Sequence, residues 1–221
     1  MKVRLISYSQ PVNGELYVGE NIQELIAYCA RVSNPSNQEN HETSEKLLSY
    51  LAKHKHWSPF EMVSACLEIE TTRDIARQIL RHRSFSFQEF SQRYADPIED
   101  LKFEFRDARL QDHKNRQNSI DTNDADLKLE WLKQQSEVAL VSKKAYKWAI
   151  ENNIAKEQAR AILPEGNTES RIYMNGTLRS WMHYIELRSG IETQKEHREI
   201  AIECANKLIP IFPLMKKIIS S

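Results

Sequence analysis

A chain of 221 residues in which 31 Lys plus Arg meet 31 Asp plus Glu carries no formal net charge, and its length suits a single domain over residues 1–221 with a sizeable core. Zero net charge argues against a protein that holds nucleic acid through an overall basic field, so an anion has to be met by a local cluster. No apolar run approaches the ~20 residues that cross a bilayer, and the N-terminus lacks the charged-then-apolar order of a signal peptide, so a cytoplasmic protein with no membrane contact is expected.

In chain order, Lys2 to Ser7 alternates like a strand and Asn21 to Arg31 reads as a helix. Thr43 to His54 reads as a second helix, with Thr43 as its cap and Lys46 one turn from Glu42. Met62 to Thr71 has strand alternation, with Val63, Ala65, Leu67 and Ile69 on one side and Ser64, Cys66, Glu68 and Glu70 on the other. Arg73 to Arg81 sorts at the helical period into an arc of Arg73, Asp74, Arg77, Gln78 and Arg81 and an apolar arc of Ile75, Ala76, Ile79 and Leu80. A core must take the apolar arc, so the arginine arc is expected to be held toward whatever lies opposite. Irregular structure is expected after Arg81.

Lys102 to Leu110 reads as a strand from the aromatic alternation at Phe103 and Phe105, and Asp112 to Asp126 as a loop. Leu127 to Asn152 predicts a long helix, and Ile154 to Leu163 a shorter one that stops at Pro164. Ser170 to Asn175 is a short strand, followed by helices at Leu178 to Arg188 and Thr193 to Leu208 and a last helical segment from Pro213 to the end. Helices dominate and βαβ units are lacking. This predicts an α+β fold, a small twisted antiparallel sheet with surrounding helices, and not a Rossmann sheet.

The three cysteines, Cys29, Cys66 and Cys204, are widely spaced in apolar contexts with no C-x-x-C, so each is expected to be a small buried hydrophobe; no metal site is expected. The pair His54 and His56 lacks further ligands at metal spacing. The five glycines form neither G-x-G-x-x-G nor a P-loop, so a bound dinucleotide would have to be held by side chains and helix ends.

The stretch from Arg81 to Tyr94 is the richest in chemistry. Arg81, His82, Arg83 and Arg93 supply donors matched to phosphate or carboxylate, with Ser84, Ser86 and Ser91 as hydroxyl donors. Glu89 is expected to stay ionised among these cations and to accept from a ribose hydroxyl or an amide. In the helix Leu178 to Arg188, Arg179, His183 and Glu186 share one face and Leu178, Met182 and Ile185 another, with Arg188 off the first face. A regular helix therefore makes Arg179 and His183 serve a different pocket, or a different subunit, from Arg188.

Arg81-His82-Arg83, then seven residues, Ser91, one residue and Arg93 resembles the signature of flavin-dependent thymidylate synthases. Ala30-Arg31-Val32-Ser33, His56-Trp57-Ser58-Pro59-Phe60-Glu61, Ala76-Arg77-Gln78, Ala159 to Pro164 and Leu178 to Arg188 are similar to that family's other blocks, in order. Gln88 stands where the family often has asparagine, as His183 does in some members; both keep hydrogen-bonding capacity.

The resemblance implies reductive methylation of deoxyuridine monophosphate (dUMP) to thymidylate, with FAD reduced by NADPH and 5,10-methylenetetrahydrofolate as one-carbon donor. It implies a dUMP site of Gln78, Arg81, Glu89, Phe90, Ser91, Gln92, Arg93, Arg160 and Arg188, with Arg188 the catalytic group. It implies an FAD site of Ser58, Arg81, His82, Arg83, Glu89, Arg179 and His183, and a homotetramer with active sites shared between subunits. The better-known thymidylate chemistry adds a cysteine thiolate to uracil, and no cysteine lies near the arginine cluster in sequence. A rival reading is an arginine-rich helical nucleic-acid-binding module using Arg73, Arg77, Arg81, Arg83 and Arg93 as a phosphate track. A third is a structural oligomer whose arginines pair with Glu68, Glu70 and Glu89.

Overall fold

The computed structural model describes residues 1–14, 16–100 and 102–219. Strand β1 (Lys2–Tyr8) leads to helix α1 (Ile22–Ala30), capped by the Asn21 side chain on the amides of Gln23 and Glu24. Helix α2 (Ser44–Lys53) and a 3-10 turn (Ser58–Glu61) precede strand β2 (Ser64–Thr72). Helix α3 (Arg73–Ile79) follows without a break, then strand β3 (Ser86–Glu89) and the short helix α4 (Pro97–Asp100). Strands β4 (Arg109–Gln111) and β5 (Ser119–Asp121) form a hairpin before the long helix α5 (Ala125–Glu151). Helix α6 (Lys156–Ala159) and a 3-10 turn (Arg160–Ile162) lead into strand β6 (Glu169–Thr177), helix α7 (Leu178–Arg188), helix α8 (Lys195–Leu208) and helix α9 (Met215–Ile219). The expected terminal helix therefore starts two residues late, and its last residues, 220–221, lie outside the described residues.

The main sheet has the order β1-β2-β6-β3 and is antiparallel throughout, as the composition of elements predicts. Val3, Ala65, Leu67, Ile69, Ile172 and Met174 are buried on one face, where they pack with Ile22, Ile26, Leu178, Trp181, Ile200 and Cys204 from the helices. The opposite face is a charge ladder. Register sets Arg4 opposite Glu68, Glu68 opposite Tyr173 and Glu70 opposite Arg171, and the pairs close: Arg4 Nε to Glu68 at 2.6 Å, Tyr173 Oη to Glu68 at 2.7 Å, Arg171 Nη2 to Glu70 at 3.2 Å.

Helix α5 stands partly apart. Tyr146 and Ala149 make a small second core with Ala159 and Leu163. Beside that buried edge, Leu127, Trp131, Val138, Val141 and Trp148 are all exposed and fall within about 100° of arc on the helix. The helix is about 40 Å long, so this stripe is an extended apolar face.

Several expectations are corrected. Ser86–Glu89, expected to be irregular, is a strand because Phe85 and Phe87 pack toward the core while Ser86 and Gln88 face out, a period-2 pattern that its arginine-rich surroundings mask. The strand expected at Lys102 to Leu110 reduces to one bridge, Phe103 to Thr168, plus the start of β4. Gln135 of α5 is the reason: its Oε1 accepts from the Arg106 amide and its Nε2 donates to the Arg106 carbonyl, each at 2.9 Å, which takes the groups a neighbouring strand would use. The expected loop after Asp112 contains β5. Thr43 does not cap α2; its Oγ1 accepts from Arg31 Nη2 at 2.8 Å. All three cysteines are free, but Cys29 and Cys66 are only half-buried.

Candidate active site

Helix α3 buries Ile75, Ala76 and Ile79 and so fixes the direction in which the chain leaves it. The next residues form a tight turn, with His82 N donating to Ile79 O at 3.0 Å and Phe85 N to His82 O at 3.3 Å. That turn runs alongside α7. His82 meets the Tyr184 ring edge-on at 4.9 Å, Ser180 Oγ donates to the Ser84 carbonyl at 3.2 Å, and Phe85 packs on Trp181 at 4.8 Å. Gly176 makes room for it: a Cβ there would come within 2.4 Å of Phe85 Cδ1.

At the end of α7, Arg188 Nε donates to His82 Nε2 at 2.9 Å. The imidazole can accept because burial, then Arg188 and Arg81, lowers its pKa to about 4. The terminal guanidinium nitrogens of Arg188 have no hydrogen-bond partner among the described residues. Behind this pair lies a second, fully buried imidazole, His197, which contacts Tyr184 Oη and Gln78 Oε1, both at 3.2 Å. Burial, then Arg188 and His82, holds His197 at about 3. Gln78 completes its contacts by donating to Gln194 Oε1 at 2.8 Å.

The arginine arc of α3 divides. Arg77 Nη1 donates to Glu89 at 3.1 Å and Arg73 lies 3.8 Å from the same carboxylate, with Glu165 at 3.6 Å from Arg73 and 4.0 Å from Arg77. Ser170 Oγ also donates to Glu89, at 2.9 Å. Arg73 and Arg77 are thus spent on carboxylates, which removes two members of the phosphate track in the nucleic-acid reading. Arg81 and Arg83 are exposed, with no ion pair among the described residues. In the structural-oligomer reading, Glu89 does pair with α3 arginines, while Glu68 and Glu70 pair with Arg4 and Arg171.

Beyond β3, the Phe90 amide continues the pairing by donating to Arg171 O at 2.8 Å. Ser91 Oγ accepts from the Arg93 amide at 3.4 Å, and Gln92 is buried with its Nε2 unpartnered. Arg93 reaches Glu157 at 3.4 Å, and Arg160 Nε donates to the Glu157 carbonyl at 3.4 Å, so both arginines converge on the start of α6.

Ser58, Arg179 and His183 form a separate group. Arg179 pairs with Glu61, one turn from Ser58, and His183 stands edge-on to Trp57 at 4.7 Å. Arg179 and Arg188 are nine residues apart on α7, about 14 Å along the axis and half a turn around it. A cavity of about 290 Å³ beside Trp57 and one of about 450 Å³ beside Trp131 are not lined by the 81–93 stretch. Among the described residues no cluster of His, Cys, Asp and Glu is placed to hold a metal ion, and no helix is long and apolar enough to cross a membrane.

Sequence reasoning missed Tyr184, His197, Gln194, Ser170 and Glu165. The available signal for His197 was its place on the apolar stripe of α8, at spacings of three, four and seven from Ile200, Ala201 and Cys204. The partnerships of Glu165 and Ser170 with the α3 arginine cluster join distant parts of the chain and leave no local pattern.

Residues 16–214 match the protein family described as thymidylate synthase complementing protein. A probable flavin-dependent thymidylate synthase of Paramecium bursaria Chlorella virus 1 is 50% identical over 98% of both chains. A flavin-dependent thymidylate synthase of Synechocystis sp. is 51% identical over 96% of both. Among solved structures, a UMP/dUMP methylase from Streptomyces cacaoi, crystallised with 5-Br UMP, shares the fold with a TM-score of 0.81 at 22% identity, covering 99% of this chain and 93% of that one.

Proposed function

The chain belongs to the flavin-dependent thymidylate synthase family, and we propose that it methylates dUMP on the surface built from the 81–93 stretch and the end of α7. The observation that carries this placement is the contact between Arg188 and His82. Arg188 spends Nε on a neutral imidazole and keeps its terminal donors for a ligand.

In this reading Arg188 lies against the pyrimidine and stabilises negative charge developing on the ring, which makes C5 nucleophilic without a covalent enzyme adduct. The state of the cysteines agrees with such a route, since burial raises the thiol pKa of Cys29, Cys66 and, most strongly, Cys204, leaving no thiolate prepared to attack. Ser91, Arg93 and Arg160 take the phosphate, while Gln78, Arg81, Glu89, Phe90 and Gln92 frame the nucleoside. Glu89 is held by Arg77 and Ser170, and an ionised carboxylate has about four lone-pair positions, so it can still accept from a ribose hydroxyl.

Ser58, Arg81, His82, Arg83, Glu89, Arg179 and His183 would hold FAD. The donor set fits: Arg81 and Arg83 are exposed cations suited to the pyrophosphate, and Ser58 offers an exposed hydroxyl. Bound FAD, reduced by NADPH, would supply the hydride that turns the one-carbon unit of 5,10-methylenetetrahydrofolate into a methyl group. The separation of Arg179 from Arg188 suits sites shared between subunits of a homotetramer, and the apolar stripe on α5 is a surface such an assembly would cover.

A visible spectrum of the purified protein, followed by titration with dUMP, tests the placement. An oxidised-flavin spectrum that shifts on adding nucleotide is expected, with thymidylate formed once methylenetetrahydrofolate and NADPH are present. Protein that neither retains nor takes up FAD overturns the cofactor site.

A further inference from the structure

We propose that His197 is a positioning residue for the nucleotide site, holding the carbonyl half of the Gln78 side-chain amide whose NH2 half is held by Gln194. The inference rests on Gln78 belonging to that site, as proposed above.

The direction of every hydrogen bond in the chain follows from its far end. Glu196 pairs with Arg109 through one carboxylate oxygen and takes Gln194 Nε2 at 2.9 Å on the other. An ionised carboxylate only accepts, so Gln194 must present its NH2 to Glu196 and its carbonyl to Gln78. Gln78 answers with Nε2 at 2.8 Å, which leaves its Oε1 facing His197 Nδ1 at 3.2 Å. A carbonyl accepts, so Nδ1 carries the proton. A neutral imidazole has one N–H, so Nε2 is bare and takes the hydroxyl proton of Tyr184 at 3.2 Å. At no link do two donors or two acceptors meet.

His197 is 0% exposed and Tyr184 1%, so breaking either contact leaves a polar atom without water to replace it. Protonating the ring would bury a charge, and would do so near Arg188 and His82, and its low pKa reflects that. Helix α3 fixes the Gln78 backbone. Gln194 holds the NH2 half of its amide and the imidazole the carbonyl half, so without the Nδ1–H, Oε1 loses its buried partner and the Gln194 contact alone must keep the side chain in place. A histidine that merely fills the core would not need this tautomer.

Two measurements test the role. In protein labelled with 15N-histidine, two-bond 15N–1H correlation spectra should show His197 neutral and protonated on Nδ1 from pH 5 to 8; a ring protonated on Nε2, or one that titrates in that range, overturns the proposal. Next, dUMP affinity is measured by calorimetry for His197→Asn, His197→Gln and His197→Leu. Asparagine places an N–H donor where Nδ1 was, glutamine places its amide where Nε2 was, and leucine offers neither. Affinity within about threefold of wild type for Asn, and losses of about tenfold or more for Gln and Leu, are expected for one buried hydrogen bond. The Asn and Gln variants decide the matter if Leu fails to fold. Equal losses in Asn and Gln, with wild type binding normally, overturn the positioning role alone. Wild-type protein that binds no dUMP overturns the site assignment and this role together.

Discussion

Arg188 and His82 meet at 2.9 Å through the Nε–H of one and the bare Nε2 of the other, a contact that exists only while His82 is neutral. It orients a guanidinium without neutralising it, unlike the α3 arginines, which face carboxylates. Truncating Arg188 to Ala should therefore lower turnover about 100-fold or more, the cost of losing one charge-stabilising donor, while flavin stays bound. Single-turnover kinetics with absorbance of the retained cofactor check this. Turnover near wild type would sink the role.

Arg93 and Glu157 have side chains 58% and 51% exposed, so their ion pair adds at most about 1 kcal/mol to the fold. Arg93→Ala should leave the melting temperature nearly unchanged yet cost on the order of 1.5–3 kcal/mol of nucleotide affinity, as for a hydrogen bond to a charged group. Calorimetric titration with dUMP beside a thermal melt separates the outcomes. A large drop in melting temperature with affinity intact would favour the structural-oligomer reading.

Much of this fold could be read from periodicity alone, because in β2, α3, α7 and α8 the apolar positions that repeat in sequence are the ones buried. The readings failed where a partner from elsewhere took over backbone groups or charges. Gln135 occupies the Arg106 backbone and stops a strand from forming. Glu89 and Glu165 claim Arg73 and Arg77, so the arc expected to face a ligand is half internal. The exposed donors Arg81 and Arg83 were legible as a motif. The histidine behind them was not, because a single His on an apolar helix face reads as core until its neighbours are known.

His197 also makes an acid-side prediction. The unfolded chain takes up its proton below about pH 6.5, whereas the folded ring does so only near about 3. Between those values the unfolded state binds more protons, so stability falls as pH is lowered. From pH 6.5 to 5 this one group should remove about 2 kcal/mol, and His82, held at about 4, pulls in the same direction. Denaturant melts at pH 7 and pH 5 should show the loss, and His197→Asn should recover about 2 kcal/mol of it. A loss of the same size in the variant would mean that His197 is not the group responsible.

Gly176 and Phe85 yield a prediction about packing. A methyl group at 176 would sit 2.4 Å from Phe85 Cδ1 and 2.7 Å from Cε1, and the ring is backed by Trp181 and Tyr184. Gly176→Ala should therefore cost about 1–3 kcal/mol, a fall of several degrees in melting temperature for a chain of this size. Phe85→Leu in the same background should restore part of it. An unchanged melting temperature in the single variant would show that the ring moves aside freely.

The apolar stripe on α5 bears on assembly. Val141 is 67% exposed and Trp148 58%, on the flank away from Tyr146 and Ala149, which already pack on the second core. Placing a carboxylate there, as in Val141→Glu, leaves the intrachain core untouched but puts a charge into any interface that covers the stripe, at a cost of several kcal/mol per ion if it stays charged. Light scattering after size exclusion should show wild type as a tetramer and the variant as smaller species with near-normal helicity. If sites are shared between subunits, the variant should also lose flavin, since Arg179 and His183 of one chain would no longer meet the Arg81–Arg83 stretch of another. A variant that stays tetrameric would move the interface elsewhere, and a monomeric wild type with full activity would show that one chain holds a complete site.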